Sequence, residues 1–462
     1  MTRTIDRRRL ITGGTALAGA AVVGARAASA QDASPAASPM ASPVADVRNT
    51  SVSGSVRYSV VGSGPEDVAL IQQIFDTAFR ETYPDLEVSA EAAPSGDGDP
   101  LLAQMVSGDA PDVFDAWTSR ATPYIDAGQV LDLKPLFDRD YGGGQADDIY
   151  EWVMAAQTIP SGLQWGMPRY VNLTVLFYNK DMFDAAGVAY PDDTWDQDTY
   201  AQALTALTQK DGDRTRVYGG HIPVFNYGRF ANKVEAWGGT PVDPADPTHA
   251  TFDSAEGQAA AEWHRVRMVD ERTVADKSFL DSGGGENVVG ARANFVAGRI
   301  ASMEEGYYPY SLADAVGDTL RFGVAAPPAG PGGRPILGSA DGVCVWSGSS
   351  NLDAAWEVAK FISGVEYQSA FSAATGLIPV RRSLVPAFAE SLVAARANLA
   401  DTGIEVGLSL LEQNPHEPPP FAQPAEAEDQ INSGLEKIFV VGDTPVTYLT
   451  ELAAAVTEAQ RS

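Results

Sequence analysis

The stretch of residues 164–183 constrains the fold of this chain more than any other. Its first part, residues 165–170, holds a glycine and a proline among large rings, a combination that marks a strand end or a crossing point. Residues 171–178 are almost all aliphatic, β-branched or aromatic, which predicts a buried strand. A buried strand that begins after such a joint indicates that the chain crosses there from one lobe to another.

The residues before this stretch predict alternating strands and helices. Strands are expected at residues 53–61, 86–90 and 111–117, and helices from Pro65 and at residues 100–107. This order predicts a mainly parallel sheet flanked by helices, and therefore an α/β fold. The third strand delivers Asp115 and Trp117 at its carboxyl end, where open α/β sheets bind ligands. A helix N-cap is the alternative role for Asp115.

The crossing strand is followed by a short predicted helix at residues 180–186. Asp181 is a candidate N-cap for this helix, since its carboxylate could accept a hydrogen bond from the first turn. Gly187 follows the last helical residue, and glycine is the preferred residue at that position.

The length and charge of the chain restrict its architecture and its partners. A chain of 462 residues is too long for one ordinary core, so two lobes are expected. The formal net charge of -29 argues against nucleic acid or an anionic membrane as a partner, because both would repel the protein. The single cysteine, Cys344, excludes an internal disulfide and lies in an apolar run, where a buried structural thiol is expected.

Residues 1–30 have the features of a cleaved export signal. A twin-arginine-type start lies at residues 6–11, an Ala/Gly-rich apolar region follows, and Ala28, Ser29 and Ala30 form a cleavage site. Residues 31–52 repeat Ala-Ser-Pro and predict an extended linker. We therefore expect export by the twin-arginine route to an extracytoplasmic location, without a lipoprotein cysteine.

The sequence contains no recognisable catalytic or metal-binding motif. The nucleophile elbow, the zinc-protease helix, the P-loop and the dinucleotide fingerprint are all missing. The four histidines stand at no metal-ligand spacing from one another, and we expect His264 on the surface. Residues 211–213 predict a hairpin turn rather than a calcium loop. We therefore predict no metal and no cofactor.

Two adjacent acids, Glu304 and Glu305, are the most visible candidates for an acid/base pair. Neighbouring residues of a strand point to opposite faces, which argues against joint action. A binding protein without catalytic residues is therefore expected. The alternative of a secreted glycan-active enzyme, with two carboxylates facing each other across a cleft, stays open among the 61 acids.

Aromatic side chains are frequent at predicted strand ends and loops. Such rings stack on the C–H faces of sugars and offer a polar tip to hydroxyl groups, although each could equally be a core residue. They are Trp117, Tyr124, Trp165, Tyr170, Tyr227, Tyr307, Tyr308 and Tyr310.

Several short motifs resemble, in order, those of bacterial extracellular solute-binding proteins. Residues 164–183 resemble the "Y-G-x-P … YNKD-x-F" segment, and residues 108–114 the "G-x-x-P-D-V" element. Further similarity lies at residues 194–200, 295–306 and 376–382. The resemblance covers essentially residues 53–455 and is to the sugar-receptor family of ABC importers, which includes maltose-binding-protein-like receptors.

The resemblance implies a two-lobed type II periplasmic-binding fold, with a mixed sheet flanked by helices in each lobe. Lobe 1 would comprise residues 53–168 and 328–365, and lobe 2 residues 169–327 and 366–462. Such proteins capture a mono- or oligosaccharide between the lobes by hinge closure and deliver it to membrane permease subunits. A monomer that binds no nucleic acid is expected, and a non-sugar solute such as a polyamine or peptide stays open as an alternative.

The resemblance also implies a set of ligand-binding residues. They are Ser63, Asp115, Trp117, Tyr170, Asn172, Asn226, Tyr227, Tyr307, Tyr308 and Asp341. Where some family members place a tryptophan over the sugar near the C-terminus, this chain has residues 423–426 without one, which leaves the size and identity of the ligand open.

Overall fold

The computed structural model describes residues 46–61, 65–94, 99–281 and 287–461. The predicted export signal and most of the predicted linker lie outside the described residues, as does Ser63. Residues at the end of the predicted linker contact the folded body: Val52 is buried, and Asp46 accepts a hydrogen bond of 3.0 Å from Arg381.

The strands of the described residues are β1 (Gly54–Val60), β2 (Leu86–Ala92), β3 (Val113–Ala116), β4 (Met167–Asn179), β5 (Gln209–Asp211), β6 (Arg214–Val217), β7 (Val242–Asp243), β8 (Asp246–Ala250), β9 (Ser302–Gly306), β10 (Phe322–Ala325) and β11 (Gly338–Val345).

The α-helices are α1 (Pro65–Ile74), α2 (Arg80–Thr82), α3 (Pro100–Ser107), α4 (Thr118–Asp126), α5 (Lys134–Tyr141), α6 (Glu151–Ala156), α7 (Lys180–Ala186), α8 (Gln197–Leu207), α9 (Tyr227–Ala236), α10 (Ala255–Arg265), α11 (Lys277–Asp281), α12 (Asn287–Val296), α13 (Pro309–Val316), α14 (Leu352–Ile362), α15 (Val365–Thr375), α16 (Val385–Ala395), α17 (Ile404–Ser409), α18 (Pro424–Glu436) and α19 (Tyr448–Ala459). Wider π-type turns follow α1, α10 and α18 directly.

Seven strands form one mixed sheet in the order β10-β4-β11-β3-β1-β2, with β9 also paired to β4. Strand β1 is parallel to both β2 and β3, and α1 and α3 lie between them in sequence. This is the βαβαβ unit predicted from the alternating pattern, and the α/β fold class is confirmed.

Strand β4 passes through both parts of the sheet. Its first half pairs with β11, and its second half pairs with β9 and β10. The strand begins at Met167, four residues before the predicted start, and includes Pro168. The register of β11 shifts between Asp341 and Gly342, next to the residue that pairs with Pro168. A proline has no N–H to donate, and a bulge in β4 itself accommodates it, because Arg169 has no paired residue on β11.

Separate groups of buried apolar side chains lie on the two sides of this crossing. Around β1, Tyr58 and Phe75 pack with Phe361, and α15 joins the same group through Tyr367 and Phe371. Around the second half of β4, two further groups collect residues from β9, β10 and the C-terminal helices. The crossing strand therefore connects the group around β1 with the two groups around its own second half.

The N-cap residue of α7 differs from the sequence-based expectation, although the helix has the predicted bounds. Asn179, not Asp181, is the N-cap: its Oδ1 accepts a hydrogen bond of 3.1 Å from the Met182 N–H. Strand β4 continues to Asn179, so Asp181 already lies in the first helical turn and forms an ion pair of 2.7 Å with Arg321. Gly187 ends the helix with a φ of 66°, as predicted.

The prediction of a surface position for His264 is wrong. Only 1% of this residue is exposed, and its ring lies against Trp237 and Trp263. Its Nδ1 lies 2.7 Å from the Ala260 carbonyl oxygen. The hydrophobic stripe of α10 includes this position, and the adjacent Arg265 is the residue that turns outward to pair with Glu262 and Asp270.

Other local predictions agree with the structure. Cys344 is buried, and residues 211–213 join β5 and β6 in a hairpin. No helix of the described part of the chain is long and apolar enough to span a bilayer.

Candidate ligand-binding site

A cavity of about 400 Å³ lies where the end of β3, the middle of β4 and the end of β9 meet. Its walls therefore come from both sides of the crossing strand. The lining residues are Trp117, Thr118, Ser119, Thr122, Asn172, Leu173, Thr174, Tyr227, Gly228, Arg229, Glu305, Gly306, Tyr308, Leu337, Gly338, Ser339, Glu417, Pro418, Pro420, Pro424 and Glu428.

Trp117 provides an available ring on the β3 side of the cavity. It stands between β3 and α4 and is 38% exposed, an unusual value for so large an apolar side chain. Its Nε1 donates a hydrogen bond of 3.0 Å to Ser119, and the Arg120 guanidinium lies 5.5 Å from the ring centre. These contacts orient the ring and leave one face for a ligand.

Tyr227 and Tyr308 provide two rings on the opposite side. Tyr227 begins α9, and its hydroxyl donates a hydrogen bond of 2.6 Å to the Pro419 carbonyl. Tyr308 follows β9, and the Arg292 guanidinium lies 5.2 Å from its ring centre. Burial raises the pKa of Tyr308, so its hydroxyl stays protonated and can donate to a ligand.

Asn172 lies on β4 in the floor of the cavity. Its Oδ1 accepts hydrogen bonds of 2.7 Å from Leu173 and 2.8 Å from Tyr307. The amide is thereby held in one orientation. Tyr307 itself does not line the cavity, because its ring is buried in the core and its hydroxyl donates to the Ile404 carbonyl at 2.9 Å.

Asp115 is placed behind the cavity wall rather than in it. It is 4% exposed and accepts hydrogen bonds from Tyr58, Val61 and Arg169, at 2.5, 3.1 and 2.8 Å. Its side chain does not cap α4, whose N-cap residue is Trp117. The structure therefore gives this carboxylate an internal ion pair, which fixes the end of β3 that carries Trp117.

Three other predicted residues also lie outside the lining. The Tyr170 hydroxyl donates to Asp341 at 2.5 Å, and burial raises the pKa of this carboxyl to about 6. Asn226 caps α9, since its Oδ1 accepts the Arg229 N–H at 3.0 Å. Four of the ten predicted residues, Trp117, Asn172, Tyr227 and Tyr308, thus meet at one cavity.

None of the charged residues of the cavity wall was predicted from the sequence as a ligand contact, although Glu305 was named as one of two adjacent acids. Arg229 donates a hydrogen bond of 2.7 Å to the Thr174 hydroxyl. Glu305 accepts the Gly306 N–H at 3.0 Å, and its carboxylate lies 3.9 Å from Arg292. Burial raises the pKa of Glu305, and both arginines oppose that shift. Arg229 follows the predicted pair Asn226 and Tyr227, which is the one signal that could have indicated it.

A proline-rich segment, residues 415–420, closes another side of the cavity. It is attached to the start of β11 by two backbone hydrogen bonds between Ile336, Gly338 and His416. A second cavity of about 1100 Å³ lies on its far side, and Glu417 and Pro418 line both spaces. Burial raises the pKa of Glu417 to about 7. The segment therefore divides a longer cleft.

The described residues offer no built metal site. No group of three or more histidine, cysteine or acidic side chains among them could hold an ion. Glu304, the neighbour of Glu305, points away from the cavity and pairs with Lys233. The two acids therefore point to opposite faces of β9, as the sequence predicts.

Comparison with known proteins supports the same interpretation as the cavity geometry, a site that binds a ligand. Residues 62–369, more than half of the chain, match the family of bacterial extracellular solute-binding proteins. A binding protein of Brucella abortus (strain 2308) is 24% identical over 241 residues, which is 49% of this chain and 53% of that protein. The arabinooligosaccharide-binding protein of Bacillus subtilis (strain 168) is 30% identical over 128 residues, 26% of this chain and 28% of that protein. The chain spans about half the length of the first of these relatives, and less of the second.

Solved structures resemble this one over most of its length. An ABC substrate-binding protein of Listeria monocytogenes in complex with cycloalternan has a TM-score of 0.73 at 20% identity, covering 89% of this chain and 100% of that one. The GacH receptor of Streptomyces glaucescens, solved unliganded and with acarbose, has a TM-score of 0.67 at 21% identity, covering 89% and 98%. The two-lobed fold predicted from the sequence is thereby confirmed, and this chain belongs to the bacterial extracellular solute-binding protein family.

Proposed function

We propose that this protein captures a mono- or oligosaccharide between its two lobes and delivers it to an ABC importer. The cavity that joins Trp117, Tyr227 and Tyr308 with the polar groups of Asn172 and Arg229 carries this proposal. The partly exposed rings of Trp117 and Tyr308 can cover the apolar faces of sugar rings, and fixed amide and guanidinium groups can bind hydroxyls. The relatives that bind arabinooligosaccharides, cycloalternan and acarbose support a carbohydrate as the ligand class.

The volumes of the two cavities are compatible with an oligosaccharide as well as with a single sugar. A space of about 400 Å³ lies within the range of pockets that enclose small ligands. The second cavity of about 1100 Å³ shares Glu417 and Pro418 with it, so a longer chain of sugars could extend along the proline-rich segment.

The lobes would close on the ligand by a hinge movement. We propose the two lobes with the bounds expected from the sequence, 53–168 and 328–365 for lobe 1 and 169–327 and 366–462 for lobe 2, except for α15. Because Tyr367 and Phe371 pack in the core around β1, we move α15 to lobe 1, so that lobe 2 resumes after this helix. The proposed hinges are the crossing near Pro168, next to the register shift between β4 and β11, and the second crossing near Pro328. Only a few backbone angles need to change at such points.

The remaining parts of the proposal concern location and partners. The family is extracellular. We propose that residues 1–30 direct twin-arginine export, that residues 31–52 form a linker, and that the mature protein acts as a monomer with permease subunits in the membrane. The proposal includes no chemical step, because the family consists of binding proteins and Glu304 and Glu305 diverge.

A thermal-unfolding screen of the mature protein, residues 31–462, tests the function. The panel contains mono- and oligosaccharides, polyamines, amino acids and short peptides. A ligand present at 100 times its dissociation constant adds about 2.7 kcal/mol to native stability, which raises the midpoint by degrees. The expected result is a shift with carbohydrates, with the sugar recovered unchanged. A shift with polyamines or peptides alone would contradict the carbohydrate, and consumption of the sugar would establish an enzyme.

A further inference from the structure

The cavity wall contains more negative than positive charge. Glu305, Glu417 and Glu428 line it, and Arg229 is the only cation among the described residues that do so. For a neutral sugar alone, one carboxylate paired with one guanidinium would give the wall balanced charge. The three carboxylates differ in how far neighbouring positive charges of the protein neutralise them.

Glu305 is compensated within the protein. Arg292 lies 3.9 Å from its carboxylate, the Gly306 N–H donates to it at 3.0 Å, and Arg229 lowers its pKa through its charge. Arg229 thus donates a hydrogen bond to the Thr174 hydroxyl and acts on Glu305 through its charge. No positive charge of the wall is left for the other two acids.

Glu417 and Glu428 have no such compensation. No lysine, arginine or histidine of the described residues forms an ion pair with either carboxylate. His416, the sequence neighbour of Glu417, lies 3.0 Å from Glu235, and Lys134, which lines the second cavity, pairs with Asp138.

Other acids near Glu417 and Glu428 increase the excess of negative charge. Burial is the main cause that raises the pKa of Glu417 to about 7, and the charges of Asp341 and Glu428 raise it further. The Thr118 hydroxyl, on α4, opposes this shift only in part. Burial also raises the pKa of Glu428, with a contribution from the neighbouring Asp429. The wall thus holds two partly buried carboxyl groups without a compensating cation, and repulsion between their charges disfavours the state in which both are ionised.

Building on the proposed function, we propose that the bound carbohydrate carries a protonated amine, held by Glu417 and Glu428. A cation at this point relieves the repulsion between the carboxylates and gains charge-assisted hydrogen bonds, whereas a neutral hydroxyl does only the latter. The rings of Tyr227 and Tyr308 line the same cavity, where an aromatic face can add a favourable cation–π contact. The ligand class is therefore an amino sugar or an oligosaccharide with an unacetylated amino group.

Matched sugars separate this inference from the proposed function. Calorimetric titrations at pH 7 compare glucosamine, glucose and N-acetylglucosamine, and the corresponding disaccharides with free amine, hydroxyl and N-acetyl groups. The amine is expected to bind at least about tenfold more tightly than its two neutral counterparts. Equal or tighter binding of the neutral sugars would overturn the inference and leave the proposed function standing. Failure of every carbohydrate to bind would contradict both, as would binding of a polyamine alone.

Two isosteric variants and a control assign the effect to the two acids. Glu417→Gln and Glu428→Gln should each remove most of the preference for the amine, measured as the ratio of the amine affinity to the neutral-sugar affinity within the same variant. Glu426→Gln is the control, since Glu426 is exposed on the same helix two residues before Glu428. Because an ionised Glu417 is required, the preference should also fall between pH 7 and pH 5. An unchanged preference in both variants, with unfolding midpoints at the wild-type value, would overturn the assignment.

Discussion

Trp117 is the cavity residue whose exposed ring most directly indicates contact with a ligand. Replacing it by alanine removes the largest ring of the cavity, so Trp117→Ala should weaken carbohydrate binding by about 1–3 kcal/mol. The free energy of unfolding should change little, because the side chain makes one side-chain hydrogen bond and lies partly in solvent. Calorimetric titration measures the affinity. Tyr190→Ala, at a ring that is 36% exposed away from the cavity, is the control; equal losses in both variants would contradict a role for Trp117.

Asp115 illustrates a predicted ligand contact that has a structural role instead. Asp115→Asn would leave the Arg169 guanidinium buried beside a neutral amide, and we expect a loss of about 3–5 kcal/mol in the free energy of unfolding. Chemical denaturation measures it. Asp109→Asn, which breaks an ion pair at a carboxylate that is 89% exposed, should have little effect. A stable Asp115 variant that binds no sugar would instead restore the role as a ligand contact.

The buried His264 predicts a specific dependence of stability on pH. Burial lowers its pKa to about 3, while an exposed histidine in the unfolded chain has a pKa near 6.5. As the pH falls below about 6.5, the unfolded state takes up a proton that the folded state does not, so stability is lost. Wild type should therefore lose up to about 1.4 kcal/mol per pH unit relative to His264→Gln between pH 6 and pH 4. A difference that stays constant with pH would show that His264 titrates normally.

At the residue scale, the sequence could not assign buried polar groups. His264 and Arg265 are neighbours of similar polarity, and only their angular position on α10 decides which one is buried. Tyr307 and Tyr308 are adjacent rings, and the direction of β9 sends the first into the core and leaves the second at the cavity. Such choices depend on packing partners that are distant in the sequence.

At the scale of elements, residues that typically start or end a helix predicted some element boundaries correctly. Helices α3 and α7 have the predicted bounds, because Asp99 and Pro100 start the first and Gly187 ends the second. The start of β4 was predicted four residues late, since Pro168 normally ends a strand. The register shift that accommodates it depends on pairing with β11, where the partner Gly342 lies more than 170 residues away in the sequence.

Gly342, which pairs with Pro168, lies at a tightly packed position where a side chain should destabilise the fold. A Cβ at Gly342 would lie 2.0 Å from Gln157 Oε1 and 3.0 Å from the Met167 carbonyl oxygen. Gln157 is fully buried, and its amide donates to the Ala340 carbonyl at 2.8 Å, so it has little room to move. Gly342→Ala should cost about 1–3 kcal/mol of unfolding free energy, as overpacking does. Gly228→Ala, where the nearest atom is 4.0 Å away, is the control for urea denaturation; an equal effect of both would contradict this explanation.

At the scale of the whole molecule, the order of motifs was sufficient to predict the fold. The βαβαβ unit, the crossing strand and the later motifs occur along the chain in the order that a two-lobed binding protein requires, and the structure contains them in that arrangement. The cavity was predictable only in part. Its wall combines residues from 117 to 428, and the acids of the proline-rich segment and α18 belong to no motif that the sequence offered.

The central claim is that one carbohydrate is held between the two sides of the crossing strand. Calorimetric titration of the mature protein with the sugar identified by the screen tests it most directly, with Trp117→Ala on one side and Tyr308→Ala on the other. The account predicts saturable one-to-one binding that each variant weakens about tenfold or more, with unfolding midpoints unchanged and the sugar recovered intact. Binding that neither variant weakens would place the ligand elsewhere and contradict the account.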